Sequence, residues 1–228
     1  MMIQYFDGFF EFLSNFAWSP FEFHGKTYNT VEHAYQAFKT VNEEDHEWIR
    51  TAPTPNIAKK RGSRRGEDGR KITLRPDWES KLSNGLLVKD FIMLTFLRIK
   101  FSDMKLQSDL LDTEDAYLEE GNSWHDNYWG DCKCARCWWK GSNKLGLLLM
   151  QVRSEIVATR MINILTYMKE GYEEIVNDPK QFAPSMVENA KIQLDEMNDQ
   201  ITENTQVLEK FNEQIYQVDW RDVSQGTY

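Results

Sequence analysis

The chain has 228 residues, 41% of them hydrophobic and 13% aromatic, with a formal net charge of −9, enough for one substantial core and one appendage. No apolar run approaches the roughly 20 residues that cross a bilayer, and the N-terminal MMIQYFDGFFEFL, with Asp7 and Glu11, lacks the basic start of a secretory signal; a cytoplasmic protein with no membrane partner is expected. The charge is uneven: residues 151–228 hold 7 basic and 14 acidic side chains, which leaves the first 150 residues near neutral and argues against extended nucleic-acid contacts.

Ile3–Phe6 and Phe21–Tyr28 read as short strands, the second turning at His24-Gly25. In the irregular segment between them, Leu13-Ser14-Asn15-Phe16, Asn15 either bonds its own backbone in a turn or offers its amide to a ligand. TVEHAYQAFK, residues 30–39, predicts an amphipathic helix. Val31, Ala34, Tyr35 and Phe38 form its core stripe, and Glu32 and Gln36, four apart, share a strip beside it. Glu32 has two readings. It closes a capping box with Asn29, or it is a carboxylate at the edge of the core, placed for acid, base or cation-stabilising work.

Helices follow over Glu43–Ala52, stopped by prolines at 53 and 55, and over Asn56–Arg61, ended by Gly62. From Lys59 to Arg75 eight basic residues face only Glu67 and Asp68, a composition that suits either phosphate or a solvated surface. Asp77 is expected to cap a long buried helix over Trp78–Phe101. A shorter helix over Asp103–Leu111 and a small strand over Tyr117–Glu120 come next. Gly121 opens an irregular stretch dense in aromatic residues, with Trp124, His125, Tyr128 and Trp129. Cys132, Cys134 and Cys137 are odd in number and closely spaced, which is no disulfide framework and fits a reducing compartment. The spacing suits a metal loop if His125 or Asp131 supplies a fourth ligand, and otherwise describes three loop thiols.

Asn143 is expected to cap the next helix, whose apolar positions continue at alternating spacings of four and three through Ala158, Leu165 and Ile175 to a break at Asn177-Asp178-Pro179. Ser185 and Glu188 read as a capping box. They open a second seam, from Val187 to Val218, in which Asn204 is the polar exception. Residues 158–228 are therefore read as a coiled-coil-like helical extension, either an αα-hairpin or a homo-oligomer contact, attached to a body over 1–157. The body's short strands and its helices give an α+β class, predominantly helical, with a small antiparallel sheet.

SNFAWSPFEFHGKTYNTVEHAYQAFK, then Arg-Pro-Asp-Trp-Glu, then NYWGD, then KGSNKLGLLLMQVR, resemble in order and spacing the NADAR superfamily of YbiA-like N-glycosidases, over about residues 3–157. Two features depart from the family pattern. The stretch between WG and N-x-LG is longer and holds the cysteines, and the heptad tail lies beyond the matched region. The resemblance implies hydrolysis of a C–N glycosidic bond in a small phosphoribosyl or ADP-ribosyl substrate. That substrate is an early riboflavin-pathway intermediate or, alternatively, ADP-ribose on guanine; a non-catalytic nucleotide-binding module is the contrasting reading. It further implies that Glu32 stabilises an oxocarbenium-like sugar, with Asp131 as the second carboxylate. Trp78 and Trp129 would stack the base, and Lys60, Arg61 and Arg64 would hold phosphate. Asn15 and Asn143 would bind ribose or cap their helices, and Phe16 and Tyr35 would complete the binding set. Hydrolysis requires no redox cofactor, so a structural zinc at the cysteines is the one metal expectation.

Overall fold

The computed structural model describes residues 1–83, 85–137 and 141–212, with side chains through residue 210. The chain divides into a body, Met1–Val152, and a helical unit that begins at Arg153.

The body is built on α1 (Val31–Ala37), all seven residues of which are buried. It packs against α2 (Glu43–Arg50), α3 (Pro55–Arg61) and α4 (Val88–Lys100). Contact on several sides explains why Glu32, His33 and Gln36 are buried along with the apolar stripe. His33 is accommodated by pairing both ring nitrogens, Nδ1 with the Thr30 hydroxyl (2.8 Å) and Nε2 with the Ala52 carbonyl (3.1 Å); buried polar groups need such partners.

Among the described residues, three two-stranded pairs accompany these helices. β1 (Met2–Ile3) runs parallel to β4 (Tyr117–Leu118), and β5 (Gly121–Asn122) runs parallel to β6 (Asp131–Cys132). The antiparallel pair is the hairpin of β2 (Phe21–Phe23) and β3 (Lys26–Tyr28). At its turn His24 and Gly25 both take positive φ, 49° and 73°, the conformation of a two-residue hairpin turn. Tyr28, Phe38 and Phe96 form an aromatic cluster beside it, with ring centroids 5.1–6.2 Å apart. The Tyr28 hydroxyl meets His46 Nε2 at 2.7 Å, and burial lowers the His46 pKa to about 4, so the ring stays neutral.

Several elements differ from expectation. The helix predicted from Trp78 begins only at Val88. Asp77 does not cap it, because its carboxylate is held by Arg75 at 2.5 and 2.8 Å, and the chain turns at Gly85 (φ 83°), where the Leu82 N–H donates to the Leu86 carbonyl. The helix expected over Asp103–Leu111 is α5 (Met104–Leu111), which Asp103 caps, the carboxylate accepting from the N–H groups of Lys105 and Leu106.

α6 (Lys144–Asn177) starts in the body. The helical unit contains the rest of α6, a 3-10 turn at Pro179–Gln181, and α7 (Pro184–Asn212). Ala158 and Leu165 on α6, and Ala190 and Met197 on α7, are buried at seven-residue intervals, the repeat of a packed helical seam. Asn204 donates to the Gln200 carbonyl of its own helix at 2.8 Å. The expected seam positions Ile215 and Val218 lie outside the described residues. No helix among the described residues is long and apolar enough to cross a membrane.

Candidate active site

The site is assembled where α1 meets the turn at Ser14-Asn15. The Glu32 N–H donates to the Asn15 carbonyl (3.0 Å). Lys100, 2% exposed, donates from Nζ to the Ser14 carbonyl (2.7 Å); burial lowers its pKa to about 7. These two bonds tie the turn to α1 and α4, and Asn15 Nδ2 lies 3.4 Å from Met93 Sδ of α4.

Glu32 does not serve as a cap. The N-terminal N–H of His33 is taken by the Thr30 side chain, which replaces the expected Asn29 box. The Glu32 carboxylate instead accepts from Gln36 Nε2 (2.8 Å), four residues on. It is 5% exposed, and burial raises its pKa although Lys59 and the Gln36 amide oppose the shift.

A hollow of about 250 Å³ opens on this carboxylate. Asn15, Glu32 and Gln36 contribute polar groups; Phe16, Tyr35, Trp124 and Trp129 contribute aromatic ones. Lys39 and Lys59 bring positive charge, and Glu120 and Asp126 bring two further carboxyl groups. Burial lowers the Lys39 pKa to about 8; the ammonium lies 5.4 Å from the Tyr35 ring centre, and the Lys59 ammonium 5.5 Å from that of Phe16. The pKa of Glu120 is raised to about 7, first by burial and then by the negative charge of Asp126. Asn15 Oδ1 and Gln36 Oε1 are buried and find no hydrogen-bond partner among the described residues. A second hollow of about 500 Å³ shares Phe16, Lys59, Glu120 and Trp124 with the first and adds Tyr5, Phe6 and Lys133.

The NADAR domain family matches residues 5–157. The chain belongs to the NADAR domain family. N-glycosidase YbiA of Escherichia coli K12 is 40% identical to it over 144 residues, 63% of this chain and 79% of that protein. N-glycosidase Npun_R5314 of Nostoc punctiforme is 35% identical over 147 residues, 63% and 83% of the two chains. The NMR structure of E. coli YbiA matches the fold with a TM-score of 0.57 at 34% identity, covering 70% of this chain and 86% of that one. The NADAR chain described here is an enzyme of the N-glycosidase class that these relatives share. A further relative, the chloroplastic riboflavin biosynthesis protein PYRR of maize, is 36% identical over 140 residues, 58% of this chain and 20% of that longer protein.

Within this NADAR domain, five of the residues singled out in the sequence line the hollow: Asn15, Phe16, Glu32, Tyr35 and Trp129. The others are engaged elsewhere. Asp131 accepts from the Gly141 N–H (2.8 Å) and from Lys133 Nζ (2.9 Å); burial opposes but these partners hold its pKa below the usual value. Trp78 packs behind Tyr35, ring centres 5.3 Å apart. Arg61 pairs with Glu67 (2.6 Å) and donates to the Trp48 carbonyl, Lys60 lies 3.6 Å from Glu67, and Arg64 is exposed outside the lining. Asn143 opens α6, its carbonyl accepting from the Leu147 N–H, while its side chain is bound away from the helix: φ is 45°, Oδ1 accepts from the Glu120 N–H (3.0 Å) and Nδ2 donates to the Leu118 carbonyl (2.8 Å). It therefore fixes the backbone of Glu120.

The sequence reading passed over Lys39, Lys59, Glu120, Trp124 and Asp126 as site residues. Lys59 precedes the chosen Lys60 by one position, and on a helix that is a rotation of about 100°. Glu119 and Glu120 are adjacent acids with opposite fates, since Glu119 pairs with Lys133 at 2.5 Å. The one available signal was Gly130. A Cβ there would lie 2.2 Å from the Glu120 carbonyl oxygen, so the glycine beside Trp129 marks a close backbone approach, and the segment it approaches, between β4 and β5, holds Glu120.

Proposed function

We propose that the enzyme hydrolyses the C–N bond between ribose 5-phosphate and the pyrimidine of an early riboflavin-pathway intermediate. The observation that carries this reading is a buried carboxylate, Glu32, facing the same small hollow as Glu120, a carboxyl group that is about half protonated near neutral pH. As the bond to the base breaks, positive charge grows on the sugar, and a desolvated carboxylate opposes it far better than water does. Glu120 in its acid form donates its proton to the departing nitrogen. Water then adds to the anomeric carbon, and its proton returns to the Glu120 carboxylate. Asn15 Oδ1 and Gln36 Oε1 accept from ribose hydroxyls, Trp129 and Tyr35 flank the base, and Lys59 and Lys39 pair with phosphate. Asp131 has a supporting part, holding Lys133 and the Gly141 backbone near the wall that carries Trp129. Free thiols and hydrolytic chemistry suit work in the cytoplasm.

The adjoining hollow of about 500 Å³ favours a second reading, in which the ligand extends beyond one phosphoribosyl group, as ADP-ribose on guanine would. A mass-spectrometric screen separates the two. Phosphoribosyl pyrimidines of the riboflavin pathway, NAD and ADP-ribosylated guanosine are each incubated with the enzyme, and the released leaving group (pyrimidine, nicotinamide or guanosine) is measured. Release from the phosphoribosyl pyrimidine alone is the expected result; release from ADP-ribosylated guanosine alone would replace the first reading with the second.

The helical unit is read as an assembly element for a second copy of the chain. Met161, Ile164 and Met168, spaced three and four apart on α6, leave an apolar stripe exposed. Replacing Ile164 and Met168 with glutamate is expected to lower the molar mass per particle, by light scattering, to that of one chain. A mass that does not change would mean that the stripe holds no second chain.

A further inference from the structure

The loop between β5 and β6, the end of β6 and the turn that follows it carry a second constellation that the hydrolysis does not use. His125, Cys132, Cys134 and Cys137 place one imidazole nitrogen and three sulfurs within 4.8 Å of one another. His125 Nδ1 lies 3.3 Å from Cys134 Sγ, 3.3 Å from Cys137 Sγ and 3.9 Å from Cys132 Sγ. Zinc bonds of about 2.3 Å to sulfur and about 2.0 Å to nitrogen put tetrahedral nitrogen and sulfur ligands about 3.5 Å apart, the middle of that range. None of the three cysteines is in a disulfide. The backbone is already bent to this end. His125 sits at φ 70°, an uncommon conformation for a residue with a Cβ. The Cys137 N–H donates to the Cys134 carbonyl, closing the turn between those two ligands.

We infer that these four side chains hold a structural zinc ion that pins one wall of the active-site hollow. Three soft thiolates and an imidazole in tetrahedral reach are a zinc donor set, and four protein ligands leave no open position for catalysis. The metal would close the loop from 125 to 137. His125 stands between Trp124 and Asp126, both of which line the hollow. Asn122, another lining residue, pairs in register with Cys132 and exchanges two hydrogen bonds with the Asp126 backbone, 2.7 and 3.2 Å. Asp126 Oδ1 in turn accepts from the N–H groups of Tyr128 and Trp129. Fixing His125 thus fixes Trp124, Asp126 and, through Asp126, Trp129. The Lys144 and Leu145 N–H groups already hold the carbonyls of Tyr128 and Trp129, and the ion would add the tie at the His125 end of the segment. This inference is independent of which N-glycoside the enzyme cleaves, because metal content is measured without turnover.

The test uses full-length protein purified without a metal-affinity tag. Elemental analysis is expected to find one zinc per chain, and Cys134→Ser and His125→Ala are expected to lose it. Cobalt titrated into chelator-treated wild-type protein is expected to give intense thiolate-to-cobalt charge transfer with tetrahedral d–d bands, a readout that does not depend on a variant folding. Chelation should lower the thermal midpoint and reduce kcat/KM several-fold, and added zinc should restore both. Zinc well under half an equivalent together with a pale, octahedral cobalt spectrum would overturn the site. Iron in place of zinc would overturn the assignment of the ion. A zinc-loaded enzyme whose kcat/KM is untouched by chelation would overturn the pinning role.

Discussion

Glu32→Gln is expected to lower kcat by about three orders of magnitude or more, the scale on which one preorganised electrostatic contact acts in a water-poor site. The amide is nearly isosteric, so the buried volume in the first turn of α1 is kept. What disappears is the negative charge that opposes the cationic sugar. The thermal midpoint is expected to hold or rise. Thr30, and not Glu32, satisfies the helix N-terminus, and burial raises the Glu32 pKa, so the charge is an unfavourable one for the folded state to contain. Activity and stability therefore move in opposite directions, which a purely structural Glu32 would not produce. A variant that loses stability and keeps turnover would return Glu32 to a structural part.

Glu120→Gln is expected to lower kcat by about 10²- to 10⁴-fold, the usual contribution of a positioned proton donor, and to change the shape of the pH profile. The sign follows from which form works. Glu120 must be protonated, and its pKa of about 7 means that the working form is full below that value and is lost as pH rises through it. Glu32 must be ionised, and burial raises its pKa, so the acid limb lies above the ordinary carboxylate range. The wild-type kcat/KM should be bell-shaped, with its alkaline limb near pH 7. Glu120→Gln should erase that alkaline limb and keep the acid one. It should also cost less with a substrate whose base is a better leaving group. An unchanged alkaline limb in the variant would remove Glu120 from proton transfer.

How far the sequence disclosed this site depends on what each residue's position relies on. Glu32 was legible because a 3.6-residue period places it beside a core stripe, and its neighbour at 36 proved to be its hydrogen-bond partner. The β2–β3 hairpin was legible because two local φ values decide it. The parallel pairs β1–β4 and β5–β6 were not, since each is two residues long and joins segments without local periodicity. The start of α4 was misplaced because Trp78 and Leu82 are buried in an irregular turn, and burial alone does not distinguish a turn from a helix. The acid after WG was assigned to chemistry from its motif. Whether Asp131 faces a ligand or a lysine is set by Lys133 and Gly141, contacts that chain spacing does not specify. Glu120 escaped notice for the complementary reason: its place is fixed by Asn143, 23 residues away.

The central claim is that the side chain at position 32 lies against the anomeric carbon of a bound N-riboside. A crystal structure of the Glu32→Gln variant with uncleaved phosphoribosyl pyrimidine tests it most directly. The account predicts the ribose in the smaller hollow, C1′ in van der Waals contact with the amide at position 32, and the Glu120 carboxyl on the side of the base nitrogen. A sugar bound elsewhere, or a side chain at position 32 turned away from C1′, would contradict it.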